Sequence, residues 1–445
     1  MSYARLMILT LLCIGPSVIP QPAAAEWTSP VVQETLTLAE AQNLALQRHP
    51  QLLAERFNLD AAREAVNAAR AGYLPQISAF ADRVFAGSNT RIGATPGLTD
   101  PTVIDRGSVG VTASQLVTDF GKTDDLVESA RYGAEAQREE TAETANSVLL
   151  NVTGAYYGVL RAQALLKVAD ETVNERATLL RRVQAMRDAR LKSDLDVSIA
   201  QQVVDQANLL HLTARGDLET ARAALAEALG SSTIGNGEPV DDHATPPPPT
   251  NLEALVEQAM SGNPELAATK ESAQAASKLA ASARDAFLPT VSVLGYAGYN
   301  PLDDPAQRIE RSYFAGGIAL TLPLYEGGLL QAQEREANAK AEAATQTADE
   351  TQNRLAQDVE TAFAAVNTAY DKITVTDHLV TTARISLRLM QAGFELGRNS
   401  VVDLSQAELA TTEAEIDAAD ARYQYLSRLA ALEFVTGDFV QDSSK

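Results

Sequence analysis

His49-Pro50 … Tyr73-Leu74-Pro75 is answered 214 residues later by Asn263-Pro264 … Phe287-Leu288-Pro289. Farther along, Val152-Thr153-Gly154-Ala155-Tyr156 is answered by Val359-Glu360-Thr361-Ala362-Phe363, Asp196 by Asp403 and Leu229-Gly230 by Thr436-Gly437, now at an offset of 207. The two halves are therefore copies of one unit, with a net seven-residue deletion between 289 and 359. A period of this size is far beyond the ~20–50 residues of stacked repeats, so the pattern marks a duplicated domain.

Proline breaks helices and central strands, and none occurs from Thr102 to Glu238 or from Leu324 to Lys445. Inside the second stretch Leu355, Val359, Ala362, Val366, Ala369, Ile373, Thr376, Val380, Ala383, Leu387 and Met390 are spaced alternately by four and three, and Val148, Val152, Ala155, Val159, Ala162, Leu166, Ala169 and Val173 repeat the pattern in the first copy. That is a coiled-coil seam of period 3.5. Its alternation of large and small residues lets neighbouring helices approach closely. After a short leading helix, each copy is expected to hold a helix from Pro50 (or Pro264) to near Tyr73 (or Phe287), two strands, an unbroken helix over 121–188 (or 327–394) and a return helix over 194–229 (or 401–435). The long helices reach roughly 100 Å at 1.5 Å per residue. The return helix and the first helix together nearly match that length, so the two can lie end to end along it. Helices this long imply a rod or tube.

Residues 76–86 and 106–117 flank a Gly/Thr/Pro/Asp-rich loop, and their counterparts are 290–299 and 312–322, where Phe314, Ile318, Leu320 and Leu322 share a face. About 10 residues is the length of a tilted strand crossing an outer membrane. A soluble hairpin shows the same pattern; the coupling to long helices and an export signal favours the membrane. Four strands cannot close a barrel, so several chains must contribute.

The export signal is residues 1–25: one basic residue (Arg5), an apolar run from Leu6 to Ile14, Pro16 and Pro20, and Ala23-Ala24-Ala25 before Glu26. This is the anatomy of a cleaved secretory leader, too short in its apolar run to span a bilayer. The only cysteine, Cys13, leaves with it, and Leu12 before it argues against a lipid anchor. Losing Arg5 takes 36 basic residues to 35 against 58 acidic ones, a net −23. Such a surface repels nucleic acid and favours cations. No later run of apolar residues is long enough for a transmembrane helix, so membrane insertion would require a closed β-barrel. The expected organisation is leader 1–25, first repeat 26–230, linker 231–251 with Pro246-Pro247-Pro248-Pro249 as an extended crossing, second repeat 252–437 and a short tail 438–445.

The paired openings Leu36-Thr37-Leu38-Ala39-Glu40-Ala41 … His49-Pro50 and Leu252-Glu253-Ala254-Leu255 … Asn263-Pro264, the two Leu-Pro strand starts, Leu322-Pro323-Leu324-Tyr325-Glu326-Gly327-Gly328 and Gly397-Arg398-Asn399-Ser400-Val401-Val402-Asp403-Leu404 resemble the TolC-type outer-membrane efflux and secretion channels. The resemblance covers essentially the whole chain after the leader. It implies a mainly α fold with a small β part: a homotrimer whose long coiled-coil helices form an α-barrel through the periplasm, continuous with a transmembrane β-barrel of four strands per chain. It also implies outer-membrane lipid around that barrel, a periplasmic adaptor (membrane fusion protein), and an inner-membrane pump or ABC transporter that supplies the energy. The function it implies is a passive exit duct of a tripartite efflux system. Type I protein secretion is the nearest alternative, and a soluble periplasmic coiled-coil rod is the alternative of another class.

No catalytic constellation is legible, and neither an enzyme activity nor a cofactor is expected. Gly121-Lys122-Thr123 lacks the glycine of a phosphate loop five residues earlier, where Leu116 stands, and reads as a strand-to-helix turn matching Gly327. His49, His211, His243 and His378 have no metal spacing.

The long and return helices meet at 188–194 and 394–400, which the resemblance places at the periplasmic tip. There it implies an iris of aspartates, Asp403 in the second copy and Asp196 in the first. Three Asp403 carboxylates in a ring would attract cations, and like-charge repulsion would raise some of their pKa values; as single residues, both are ordinary acids at a helix N-terminus. A second family aspartate is Gln406 here, and the family's closing tyrosine and arginine fall on Phe394 and Asn399, which cannot reproduce their hydrogen bonds. The tip turns expected to meet the adaptor are Arg190, Leu191, Lys192 and Ser193 in the first copy and Gly397, Arg398 and Ser400 in the second. Arg190 stands where the second copy keeps Gly397.

Overall fold

The computed structural model describes residues 35–85, 106–232, 237–241, 245–299 and 312–437. The leader 1–25, most of both strand-connecting loops, the tail 438–445 and parts of the linker lie outside the described residues. The first copy comprises β1 (Thr35–Leu36), α1 (Leu38–Arg48), α2 (Pro50–Arg70), a 3₁₀ turn, β2 (Gln76–Val84), β3 (Arg106–Thr118), α3 (Lys122–Asp188) and α4 (Asp194–Ala228). After β4 (Glu238–Pro239) the second copy repeats the series as α5 (Leu252–Gly262), α6 (Pro264–Asp285), β5 (Thr290–Tyr299), β6 (Ser312–Thr321), α7 (Leu329–Glu395) and α8 (Val401–Thr436). The offset is 214 at the starts of α2/α6 and β2/β5 and 207 at α3/α7, so the length change falls within the strand hairpin.

Local chemistry explains the breaks. Pro50 and Pro264 occupy the first turns of α2 and α6, where a missing N–H costs nothing, and the Asn263 side chain caps α6 by accepting from the Leu266 N–H at 3.2 Å. Gly121 begins α3 with φ +120°, and a Cβ there would sit 2.6 Å from Asp285 Oδ2, so only glycine fits.

α3 and α7, 67 residues each, span roughly 100 Å. α2 and α4 pack along α3, and α6 and α8 along α7, as the lengths predict. The second copy's α6 and α8 also pack on α3, which interlocks the copies. The seam of α3 is buried at Val148, Val152, Val159, Ala162 and Ala169, and that of α7 at Leu355, Val359, Val366, Ala369 and Leu387. From Ile373 to Ala383 the α7 seam is only half-buried. There α7 has lost the cover of α5 and α6, which pack near Leu355 and Val359.

The four strands form one antiparallel sheet in the order β2-β3-β5-β6. Registers such as Ile77↔Ala113, Ala79↔Val111↔Ala297↔Phe314 and Val293↔Ile318 put one apolar face across all four strands, while Ser78↔Thr112↔Tyr296 and Ser292 mark a more polar opposite face. On that second face Phe80 covers Gly110 in one hairpin and Tyr313 covers Gly298 in the other, aromatic rings replacing missing side-chain cover. Among the described residues, the outer edges of β2 and β6 have no partner strand.

Near mid-length, the linker is strapped to the helices. β1 and β4 pair in parallel, the Tyr156 hydroxyl lies 2.8 Å from both the Leu36 and Val240 carbonyls, and the Tyr425 hydroxyl donates to the Pro246 carbonyl at 2.7 Å.

Candidate functional site

The site is the helical end opposite the sheet, built from two hairpin turns. Both turns have the same backbone. In the first, the Arg190 N–H donates to the Arg187 carbonyl and the Leu191 N–H to the Met186 carbonyl, each at 2.8 Å. In the second, the Gly397 N–H donates to Phe394 at 3.0 Å and the Arg398 N–H to Gly393 at 2.8 Å. This closing motif needs a left-handed residue after the helix. Gly397 supplies it freely at φ +70°, whereas Arg190 adopts φ +62° with a side chain attached, a conformation that costs an L-residue ~1–2 kcal/mol.

The two aspartates are the third residues of the return helices, each in a reciprocal capping box. The Ser400 N–H and hydroxyl donate to Asp403 Oδ2 at 3.0 and 2.8 Å, and the Asp403 N–H donates back to Ser400 Oγ at 3.1 Å. Ser193 and Asp196 make the same exchange at 2.8, 2.7 and 3.3 Å. These bonds, the backbone N–H foremost, hold both carboxyls below the usual carboxylate range. Their contribution is present above the pH where a free carboxylate titrates and is lost as pH falls through the lowered value. All the capping contacts fall on Oδ2, and Asp403 with Gln406 lies on an exposed stretch of the same helix face.

Phe394 and Asn399 face the protein rather than the solvent. Phe394 is fully buried, packed with Leu179, Val183, Leu387, Val401 and Leu404, and Lys192 Nζ sits 4.7 Å above its ring. The Asn399 amide folds back to donate to the Met390 carbonyl at 3.2 Å, and it crosses Gly393 so closely that a Cβ there would lie 2.3 Å from Asn399 Nδ2. Arg182 Nη1 bonds Glu395 Oε1 at 2.8 Å, tying the first hairpin to the second.

Beside the expected tip residues, Leu195, Leu396 and Val402 are exposed apolar side chains at this end, like Leu191. The 3.5-residue seam drawn along α3 and α7 does not extend into α4 and α8, so the sequence reading misses Leu195 and Val402. Among the described residues there is no group of three His, Cys, Asp or Glu able to hold a metal ion, and no helix is long and apolar enough to cross a membrane.

The sequence profile of the outer membrane efflux protein family matches residues 41–231 and 255–438, one stretch on each copy. The outer membrane protein TolC of Vibrio cholerae serotype O1 is 27% identical over 412 residues, covering 90% of this chain and 90% of that protein. The alkaline protease secretion protein AprF of Pseudomonas aeruginosa is 24% identical over 412 residues, covering 90% and 84%. Among solved structures, the outer-membrane channel OprN superposes with a TM-score of 0.79 at 20% identity, over 91% of this chain and 90% of that one.

Proposed function

Because the chain belongs to the outer membrane efflux protein family and so resides in the outer membrane, we propose that three copies form the passive exit duct of a tripartite efflux system. One observation carries this reading: a four-stranded sheet with an apolar face and two unpaired edges stands at one end of helices about 100 Å long. Unpaired edges cannot face lipid. Joining β6 of one copy to β2 of the next removes every edge and closes twelve strands, with the Phe314–Ile318 face toward lipid and the Ser78–Thr112 face toward water. The long helices then continue the barrel as a tunnel. The duct conducts and has no chemistry of its own; a periplasmic adaptor meets the tip turns around Leu191 and Leu396, and an inner-membrane pump or ABC transporter drives the cargo.

Asp403 is the constriction residue of this reading. Oδ2 is spent on the cap, and three copies would bring three Oδ1 atoms toward one axis, opposing the lowered pKa that each carboxyl has alone. Similarity to a secretion protein keeps type I protein secretion as the second reading.

The test is assembly and conduction. The purified mature protein should be a trimer in detergent, should fractionate with outer membranes and should form discrete conducting units in planar bilayers. A stable monomer, or recovery in the soluble periplasmic extract, would overturn the duct in favour of a structural rod.

A further inference from the structure

α6 lies against two long helices, α3 and α7, whereas its repeat α2 packs on α3 and makes no comparable contact with α7. Three bonds define the stripe of α6 that meets α3. Ser282 Oγ donates to the Lys122 carbonyl at 2.9 Å, Lys278 Nζ bonds Asp125 Oδ1 at 3.0 Å, and Ser129 Oγ donates to the Ala275 carbonyl at 2.8 Å. Steps of four and three residues carry the stripe on to Glu271 and Ala268. All five positions on α6 are buried or half-buried, and so are Asp125, Ser129, Tyr132 and Ala136 along α3.

The duplication carries both stripes to places where the cover is missing. An offset of 214 takes the first to Ala54, Phe57, Ala61, Glu64 and Ala68 on α2, and an offset of 207 takes the second to Ala332, Glu336, Ala339 and Ala343 on α7. Every one of these nine is exposed in the single chain, Phe57 by 74%. A lone exposed phenylalanine is ordinary on a protein surface. Two bare stripes whose repeats are packed on each other are not.

The sheet says what covers them. α6 leads into β5 and β3 leads into α3, and β3 and β5 are paired. In the same way α2 leads into the edge strand β2, and the edge strand β6 leads into α7. Wherever β6 of one protomer joins β2 of the next, α7 and α2 therefore arrive side by side.

We propose that α2 of one protomer packs on α7 of the next in the alignment α6 has on α3, and that Phe57 is the anchor of this contact. The alignment sets Glu64 against Ala332 and Ala61 against Glu336, so the bonds of the internal seam have no equivalent there. Glu336 is already paired with Lys340 at 2.7 Å. Where Glu271 stands near Tyr132 inside the chain, Phe57 comes over the turn Ala339–Ala343, a large ring on small side chains. Helical side chains lean toward the N-terminus, which carries the ring toward Ala343. Burial of that ring supplies an aromatic anchor of the kind that dominates interfaces. The inference rests on the duct reading for the second protomer, and it names the side chain that seals the tunnel wall between protomers beneath the barrel.

The experiment is disulfide trapping on the full chain, whose only native cysteine is Cys13 in the expected leader. Ala61→Cys with Glu336→Cys keeps Phe57, and mild oxidation should turn the detergent trimer into covalent multimers on denaturing gels. Ala275→Cys with Ser129→Cys, the equivalent internal pair, should link within one chain and stay monomeric on the same gels. Ala61→Cys with Ala343→Cys, displaced by about 10 Å at 1.5 Å per residue, should stay unlinked. Separately, Phe57→Ala should speed dissociation of the trimer in dodecyl sulfate about tenfold, Phe57→Leu should change it far less, and Phe57→Ala with Ala339→Phe should recover most of the loss. A trimer in which positions 61 and 336 do not link between chains overturns the inference and leaves the duct reading standing. A trimer whose dissociation is indifferent to Phe57→Ala overturns the anchor. A wild-type protein that is monomeric in detergent sinks both readings.

Discussion

Arg190 and Gly397 hold the same left-handed position in the two tip turns, at φ +62° and +70°, so exchanging their characters tests what that strain does to the tip. An L-residue at this geometry costs ~1–2 kcal/mol, and glycine's larger freedom in the opened chain offsets ~0.5–1 kcal/mol. Arg190→Gly should therefore stabilise the first turn by ~0.5–1 kcal/mol, and Gly397→Ala should destabilise the second by a similar amount. Because ~1.4 kcal/mol is tenfold in an equilibrium, local opening should become about two- to fivefold rarer in the first variant and about two- to fivefold commoner in the second. Amide hydrogen exchange on peptides covering 186–196 and 393–403 reads this directly, since tip amides exchange through local opening and not through unfolding of the whole assembly. Arg190→Lys, which keeps the charge and the strain, should exchange like the wild type. If Arg190→Gly leaves the first turn unchanged while Gly397→Ala loosens the second, the arginine side chain is compensating its own backbone. If neither variant moves, the left-handed residue does not limit tip stability, and the reasoning fails.

Ala369→Leu adds bulk to a buried position of the α7 seam; overpacking of this kind costs about 1–3 kcal/mol, and it should lower trimer yield and thermal stability, with no change in either refuting the large-small packing argument. Multivalent cations added from the periplasmic side should reduce single-channel conductance if three Asp403 carboxylates converge in a narrow neck, because such a neck concentrates the field. Asp403→Ala should relieve that block while Asp417→Ala, farther along α8, leaves most of it; equal block in wild type and Asp403→Ala would put the cation site elsewhere.

Much of the fold was legible because the chain states it twice. Pro50 and Pro264 marked the helix starts, and the expected α3 and α4 spans of 121–188 and 194–229 stand beside observed ones of Lys122–Asp188 and Asp194–Ala228. A 3.5-residue period fixes which side of a helix is apolar, but not which partner covers it. For that reason the packing of α6 and α8 on α3 was invisible, and so was the burial of Arg176 and Glu408, charged residues whose default reading is solvent. Phe394 illustrates the same limit: its position at the tip could be matched, yet its depth depends on Val183 of the other copy, more than 200 residues away. At Arg190 the missing glycine was visible, whereas only the backbone shows that arginine adopts the glycine's conformation.

The strap at residues 237–241 and 245–250, held by Tyr156 and Tyr425, joins two half-units that could each have been a separate chain. Six separate half-units would have to find one another through encounters whose rate falls steeply with dilution. Joining them in pairs turns half of those encounters into intramolecular events, in which the second half arrives at a local concentration fixed by a short tether rather than by the amount of protein exported. A stiff proline crossing suits that task, because it keeps the halves close without letting them wander. A closed channel then needs three molecules to meet instead of six, which matters most when the protein is scarce and its unpaired strands are still looking for partners.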